Sequence, residues 1–235
     1  MNQRSLIYLL AFIVTIGSVA AYVSIPAVPV VREFFDATVA QAQATFTIAL
    51  LTFAIGMVFW GTFADRYGRR LAILAGVGLM AAGSVVCLFA PSLAWLIAGR
   101  GVLAFGTATG IAVSRTIVSD LYPDSMARML AQLAIFAVVS SASAPVIGGF
   151  LTSWFGWRSV FAAQVVMAAA VAWLTWKHLP ETRPATTQPP AVREMARVAL
   201  SLLTKPRYLS CVLQSSAAYS MFVVFISLAP YVMVT

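Results

Sequence analysis

Apolar residues in this chain run in long blocks separated by short charged or proline-rich breaks. The blocks lie near residues 6–31, 43–63, 71–90, 94–118, 129–152, 160–178 and 208–233. Each matches the ~20 apolar residues that an α-helix needs to cross the hydrocarbon core of a bilayer. In lipid every backbone polar group must bond within its own helix, so the pattern predicts seven membrane-spanning helices and no strands. Residues 180–206 break the pattern. They carry Pro180, Pro184, Pro189, Pro190 and Pro206 with Thr186, Thr187 and Gln188, and read as a water-exposed linker. Within them, residues 192–203 (VREMARVALSLL) predict a short amphipathic helix on the membrane surface. The expected organisation is a six-helix bundle over 1–179, a cytoplasmic linker over 180–207 and a seventh membrane helix over 208–235.

Composition agrees: 61% of residues are hydrophobic, 9% are charged, and the mean hydropathy is +0.92. The net charge of +8 belongs to topology, because the basic residues sit in short loops and form no stripe for nucleic acid. With Met1 on the cytoplasmic side, the inner loops hold most of the 15 Lys and Arg. Arg32 and Arg158 lie outside and Arg100 lies within a span. That bias predicts a cytoplasmic N-terminus. The block over 6–31 is too long for a signal-peptide core. Cys87 and Cys211 both fall in apolar blocks and read as buried free thiols. His178 is the single histidine, and no carboxylates pair in a way that suits acid–base or metal chemistry. The chain therefore reads as neither an enzyme nor a cofactor or metal protein. A seven-helix retinal protein is excluded because 208–233 contains no lysine.

The most specific stretch is GTFADRYGRR, residues 61–70, between the second and third blocks. It predicts a loop that ends one helix, turns in water and starts the next. Gly61 and Gly68 allow the backbone to bend, Asp65 is placed to accept from the free amides opening the next helix, and Arg66, Arg69 and Arg70 hold the loop inside. This run resembles the signature loop of the major facilitator superfamily, roughly G-x-L-x-D-R-x-G-R-R, with Phe63 in place of leucine. An echo follows 88 residues later: Gly61, Gly68 and Arg70 are repeated in spacing by Gly149, Gly156 and Arg158. One loop is internal and the other external, as an inverted-topology repeat requires. The resemblance implies an all-α membrane protein. Its N-terminal six-helix bundle would be built as a 3+3 inverted repeat, followed by a seventh helix.

Further motifs narrow the resemblance. In the fourth span, Arg100 and Gly106 resemble the superfamily's R-x-x-x-G pattern, with Ala104 at the first glycine. Arg100 lies roughly 8–10 Å deep and either snorkels to the outer interface or faces a central cavity beside Gly99, Gly101 and Gly110. In the fifth span, SSASAPVIGGF predicts a kink at Pro145 and close packing at Gly148 and Gly149. It resembles the A-P-x-x-G-G antiporter motif of Bcr/CflA-type drug exporters. SRTIVSDLYP, through Arg115, Asp120, Tyr122 and Pro123, resembles another run of those exporters, with Ser119 where a second arginine is common. Asp120 shares a face with Asp65, Arg69 and Arg70, which predicts either a salt-bridge cluster or separately solvated charges. The IPAVP of residues 25–29 resembles the LPALP ending helix one of that family, where an aspartate is common at the position of Tyr22. No Asp or Glu falls inside the seven predicted spans. Thr15, Ser18 and Tyr22 share one helical face and, with Arg100, either line a cavity or satisfy their own helix. Gln214, Ser215 and Tyr219 form a similar patch in the last span.

The resemblance implies a secondary active transporter of the bacterial inner membrane, exporting drug-like or other small organic solutes by alternating access with protons as coupling ion. A metabolite facilitator of the same fold, for an organic anion, is the second reading. A truncated, non-transporting product is the third. The chain covers the first seven of the twelve helices expected for the family. A missing C-terminal half, or another half-transporter, is therefore an expected partner beside lipid and solute.

Overall fold

The computed structural model describes residues 3–182, 201 and 204–232. They form α1 (Gln3–Tyr22), α2 (Val28–Phe34), α3 (Val39–Tyr67), α4 (Arg69–Leu88), α5 (Leu93–Leu121), α6 (Met126–Phe155), α7 (Arg158–His178) and α8 (Pro206–Val232). Among the described residues there is no strand. Six helical stretches between Leu6 and His178 are long and apolar enough to cross a membrane. The first runs from Leu6 to Phe34 and joins α1 to α2 across a 3-10 turn, Ile25–Ala27. That break is local chemistry: Pro26 and Pro29 each lack the N–H that a continuing helix needs.

Several helices run about a turn beyond their apolar blocks, because end signals and not hydropathy stop them. Thr38 opens α3 with a capping box: its hydroxyl accepts from the Gln41 amide at 3.3 Å, and the Gln41 side chain accepts from the Thr38 amide at 2.9 Å. The expected turn over residues 61–70 is corrected by the structure. The helix continues through Gly61 to Tyr67, and the chain reverses at Gly68 alone. Gly61 does not bend, since one glycine inside a membrane helix costs little once both neighbours propagate the helix. Gly68 adopts φ 103, a region that side-chain-bearing residues rarely occupy. α6 likewise continues through Pro145 and ends at Gly156, φ 78.

The chain divides into two units, Met1–Ala185 and Thr186–Thr235. In the first, α5 and α1 are the most buried helices and α3 and α6 the least. α5 packs on α3 and α4, α1 packs on α6 and α5, and α4 packs on α7. Exchanging the first three membrane segments with the next three carries α3–α5 onto α1–α6 and leaves α1–α5 and α4–α7 in place, as an inverted repeat requires, whereas the close α4–α5 pairing has only a lighter α1–α7 contact as its counterpart. The close contacts rely on small residues. A Cβ at Gly106 would collide with the α4 backbone, and one at Gly148 with the Val23 carbonyl, whereas Gly149 has open space. The Trp60 indole donates to the Phe105 carbonyl at 2.8 Å, and Gln164 donates to the Ala20 carbonyl at 2.9 Å. α3 and α6 turn large apolar side chains outward, among them Ile55, Val58, Val138, Val139 and Trp154. In the second unit, Gln214 and Tyr219 lie exposed on α8, as does Cys211, whereas Cys87 is buried; both thiols are free. The predicted surface helix over 192–203 lies outside the described residues apart from residue 201.

Candidate functional site

Three helix ends meet at the Gly68 turn: the last turn of α3, the first of α4 and the last of α5. Asp65 lies in the last turn of α3 and Arg69 opens α4, so the two sit on either side of the reversal, four residues apart. The Arg69 Nη2 contacts Asp65 Oδ1 at 2.9 Å and Asp120 Oδ2 at 2.9 Å, and Nε donates to the same Asp120 oxygen at 3.1 Å. Its Nη1 donates to the Ala64 carbonyl at 2.8 Å. One guanidinium thus joins three helices. Its side chain is only 6% exposed, and those of Asp65 and Asp120 are 33% and 22% exposed. A buried guanidinium is stable when its fork is filled, and here two carboxylates and a carbonyl fill it.

The neighbouring residues behave differently. Arg70 does not join the ion pairs; its Nη2 donates to the carbonyl of Trp176 in the last turn of α7. Arg66 is exposed and lies 5.5 Å over the Tyr67 ring. Asp65 is directed at Arg69 and does not serve as the N-terminal cap of α4; that role falls to Glu181. The Glu181 Oε1 accepts from the Arg69 amide at 2.8 Å and Oε2 accepts from the Arg70 amide at 3.3 Å. Sequence reasoning missed Glu181. The available signal was its rarity, one of seven acidic residues in the chain, placed just past the sixth span.

A second polar group lies inside the bundle. Arg100 is 5% exposed, and its Nη1 donates to Ser24 Oγ at 2.5 Å, in the turn that follows α1. Ser18 and Tyr22 are also buried within this unit. Gln164 is 1% exposed, and its side-chain oxygen has no hydrogen-bond partner among the described residues. Ser24 and Gln164 were not singled out from the sequence, although a glutamine in an apolar block is itself a signal. Among the described residues no cluster of His, Cys, Asp or Glu is placed to hold a metal ion. Gln214 and Tyr219 belong to the other unit.

The chain is 31% identical over 186 residues to Multidrug resistance protein D of Escherichia coli K12, covering 78% of this chain and 47% of that protein. It is 30% identical over 203 residues to Multidrug resistance protein MdtL of Escherichia coli O81, covering 86% and 51%. It is 29% identical over 189 residues to Multidrug resistance protein Stp of Mycobacterium tuberculosis, covering 77% and 35%. The chain therefore spans about half the length or less of these curated relatives. Its fold is similar to that of a bacterial homolog to the human lysosomal transporter Spinster, with a TM-score of 0.75 at 22% identity, covering 98% of this chain and 56% of that one. Residues 8–234 match the Major Facilitator Superfamily, and the chain belongs to that superfamily of multi-pass membrane transporters.

Proposed function

We propose that this chain supplies the first half of an exporter that moves drug-like organic solutes by alternating access, in exchange for protons. The bridging of Asp65 and Asp120 by Arg69 carries this reading. A guanidinium held between helix ends by charge is a contact that can be made in one state and broken in another, so it serves as a gate. The names of the similar multidrug resistance proteins support the solute class. The excess of Lys and Arg in alternate loops supports a bacterial inner-membrane orientation with the Gly68 end and the N-terminus on the cytoplasmic side. Residues 208–235 would begin a second bundle, supplied by further chain or by another half-transporter. Gly148 seats α6 against Val23 within the bundle, while Pro145 and Gly149 belong to the motif that would face the second half. Ser18, Tyr22 and Arg100 supply polar groups to the solute path of the first bundle, and Gln214 and Tyr219 are the polar groups that α8 would offer to the second. The first three are covered in this state, so a solute meets them only after α1 shifts on α5. The proton-carrying acid lies outside the predicted spans of this chain or in the second bundle.

Expression in a drug-hypersensitive bacterium tests the proposal. The chain, with its C-terminal continuation where one exists, should extrude a lipophilic cationic dye. A protonophore, or Asp65→Asn, should abolish extrusion while expression holds. Dye retention equal to that of an empty vector overturns the exporter reading. The buried cation Arg100 favours a second reading, a facilitator of organic anions. Accumulation of an anionic metabolite in a deletion strain, without altered drug sensitivity, selects it.

A further inference from the structure

Helix α4 begins without a side-chain cap of its own. Its cap residue is Gly68, and the first amides of any α-helix lack partners within it. The acceptors come from beyond the end of α7, where the two oxygens of Glu181 take the amides of Arg69 and Arg70 at 2.8 and 3.3 Å. A Cβ at position 68 would come within 2.5 Å of Glu181 Oε2, so glycine there both permits the turn and admits the carboxylate. Arg70 adds a second tie from the same turn to the Trp176 carbonyl. The amide that Glu181 holds most closely belongs to Arg69, whose side chain bridges Asp65 and Asp120.

We propose that Glu181 is a positioning residue of the gate: it sets where the Arg69 guanidinium meets the two aspartates by fixing the backbone from which that side chain projects. This rests on the gate reading of the Arg69 cluster. A carboxylate at a helix N-terminus, accepting two charge-assisted bonds, is a strong fixing device. It also ties the residues leaving the bundle to the turn that carries the gate.

The opposite end of the bundle provides the control. There Arg158, at the start of α7, donates to the Leu88 and Ala90 carbonyls at 3.2 and 3.5 Å. A shift of 88 residues carries Arg70 onto Arg158 and Leu88 onto Trp176, so the two arginine ties are equivalent and brace α4 against α7 at both ends. Among the described residues no carboxylate fills the second turn, where a Cβ at Gly156 would meet nothing within 4 Å. If Glu181 merely helped α4 and α7 pack, breaking the Arg158 tie would mimic its loss.

The test compares Glu181→Ala, Glu181→Gln and Arg158→Gln with the wild type in the full chain in lipid bilayers, reading residue-resolved hydrogen exchange and dye efflux. Glu181→Ala should speed exchange at the Arg69 and Arg70 amides by about tenfold or more, the scale of losing a charged acceptor. Glu181→Gln should restore protection at one of the two, because an amide has a single acceptor oxygen. Arg158→Gln should leave both unchanged. The maximal efflux rate in Glu181→Ala should fall at unchanged half-saturating dye concentration. Unchanged exchange in Glu181→Ala, or an equal rise in Arg158→Gln, overturns the proposal. So does normal efflux in a Glu181→Ala protein that has lost protection. A wild type that moves no dye yet loses protection only in the Glu181 variants fails the transport reading and sustains Glu181's hold on Arg69.

Discussion

The turns at Gly68 and Gly156 share a backbone design and differ in what surrounds it. Each ends a long helix with a positive-φ glycine whose amide donates, at 3.0 Å, to the carbonyl four residues earlier. Each is followed two residues later by an arginine that reaches the far end of the partner helix, Arg70 to Trp176 and Arg158 to Leu88. Around Gly68 the setting is ionic, with Asp65, Arg69, Asp120 and Glu181 in one network. Around Gly156 it is aromatic: the Arg158 guanidinium lies 4.9 Å over Phe34 and 4.3 Å over Trp157, and the Ser159 hydroxyl donates to the Gly156 carbonyl. Aromatic packing and carbonyl bonds suit an end that holds its shape. Charges that face both partners and water suit an end that opens and closes. On the proposed reading, one architectural unit used twice carries a switchable end and a fixed one.

The largest expected effect that tests this contrast is Arg69→Ala. It leaves Asp65 and Asp120 facing each other without the cation between them, and should destabilise the folded state by about 2–3 kcal/mol; the partial exposure of both acids keeps the figure below that of a fully buried pair. Thermal unfolding in detergent measures it, and a change under about 0.5 kcal/mol, the range of ordinary surface substitutions, would remove the ionic end as a structural unit. Next come the two glycines. Alanine at either meets the strained backbone, at about 1–3 kcal/mol. At position 68 it also displaces Glu181, so Gly68→Ala should lower the melting temperature more than Gly156→Ala. Equal losses would mean that the Glu181 contact adds nothing.

The third pair is symmetric. Arg70→Gln and Arg158→Gln should cost about 1 kcal/mol each, since each removes donors to helix-end carbonyls. A much larger loss at either end would break the equivalence of the two ties. The smallest effect is assigned to Arg66→Ala, within about 0.5 kcal/mol, because Arg66 is exposed beside Tyr67. A large loss there would place Arg66 inside the network.

How far the residues could be read in advance varied with the range of the interaction. The break at Ile25–Ala27 was not drawn, because the apolar block runs through it to residue 31. The six spans of the bundle and the glycine stops were legible because hydropathy and positive φ act within a few residues. Gly61 was misread for the same reason: a glycine beside charges looks like a turn until the helix around it is seen to continue. Asp65, Arg69 and Asp120 could be placed at one end of their spans, but not which arginine would take both acids. Arg69 and Arg70 differ by one position, and that 100° step sends one guanidinium to α5 and the other to α7. Arg100 was legible as an anomalous charge, and its partner Ser24 was not, being 76 residues away in the chain.

From the sequence alone came the class of solvent, the number and order of the bundle's helices, the repeat of 88 residues and the inventory of charges at each end, because each depends on composition or on neighbours close in the chain. Tertiary structure alone decided the pairing of those charges, the burial of Arg100 on Ser24 and the capping of α4 by Glu181. Those outcomes depend on the rotation of each helix about its axis, which is settled when glycine-lined surfaces of different helices come into contact.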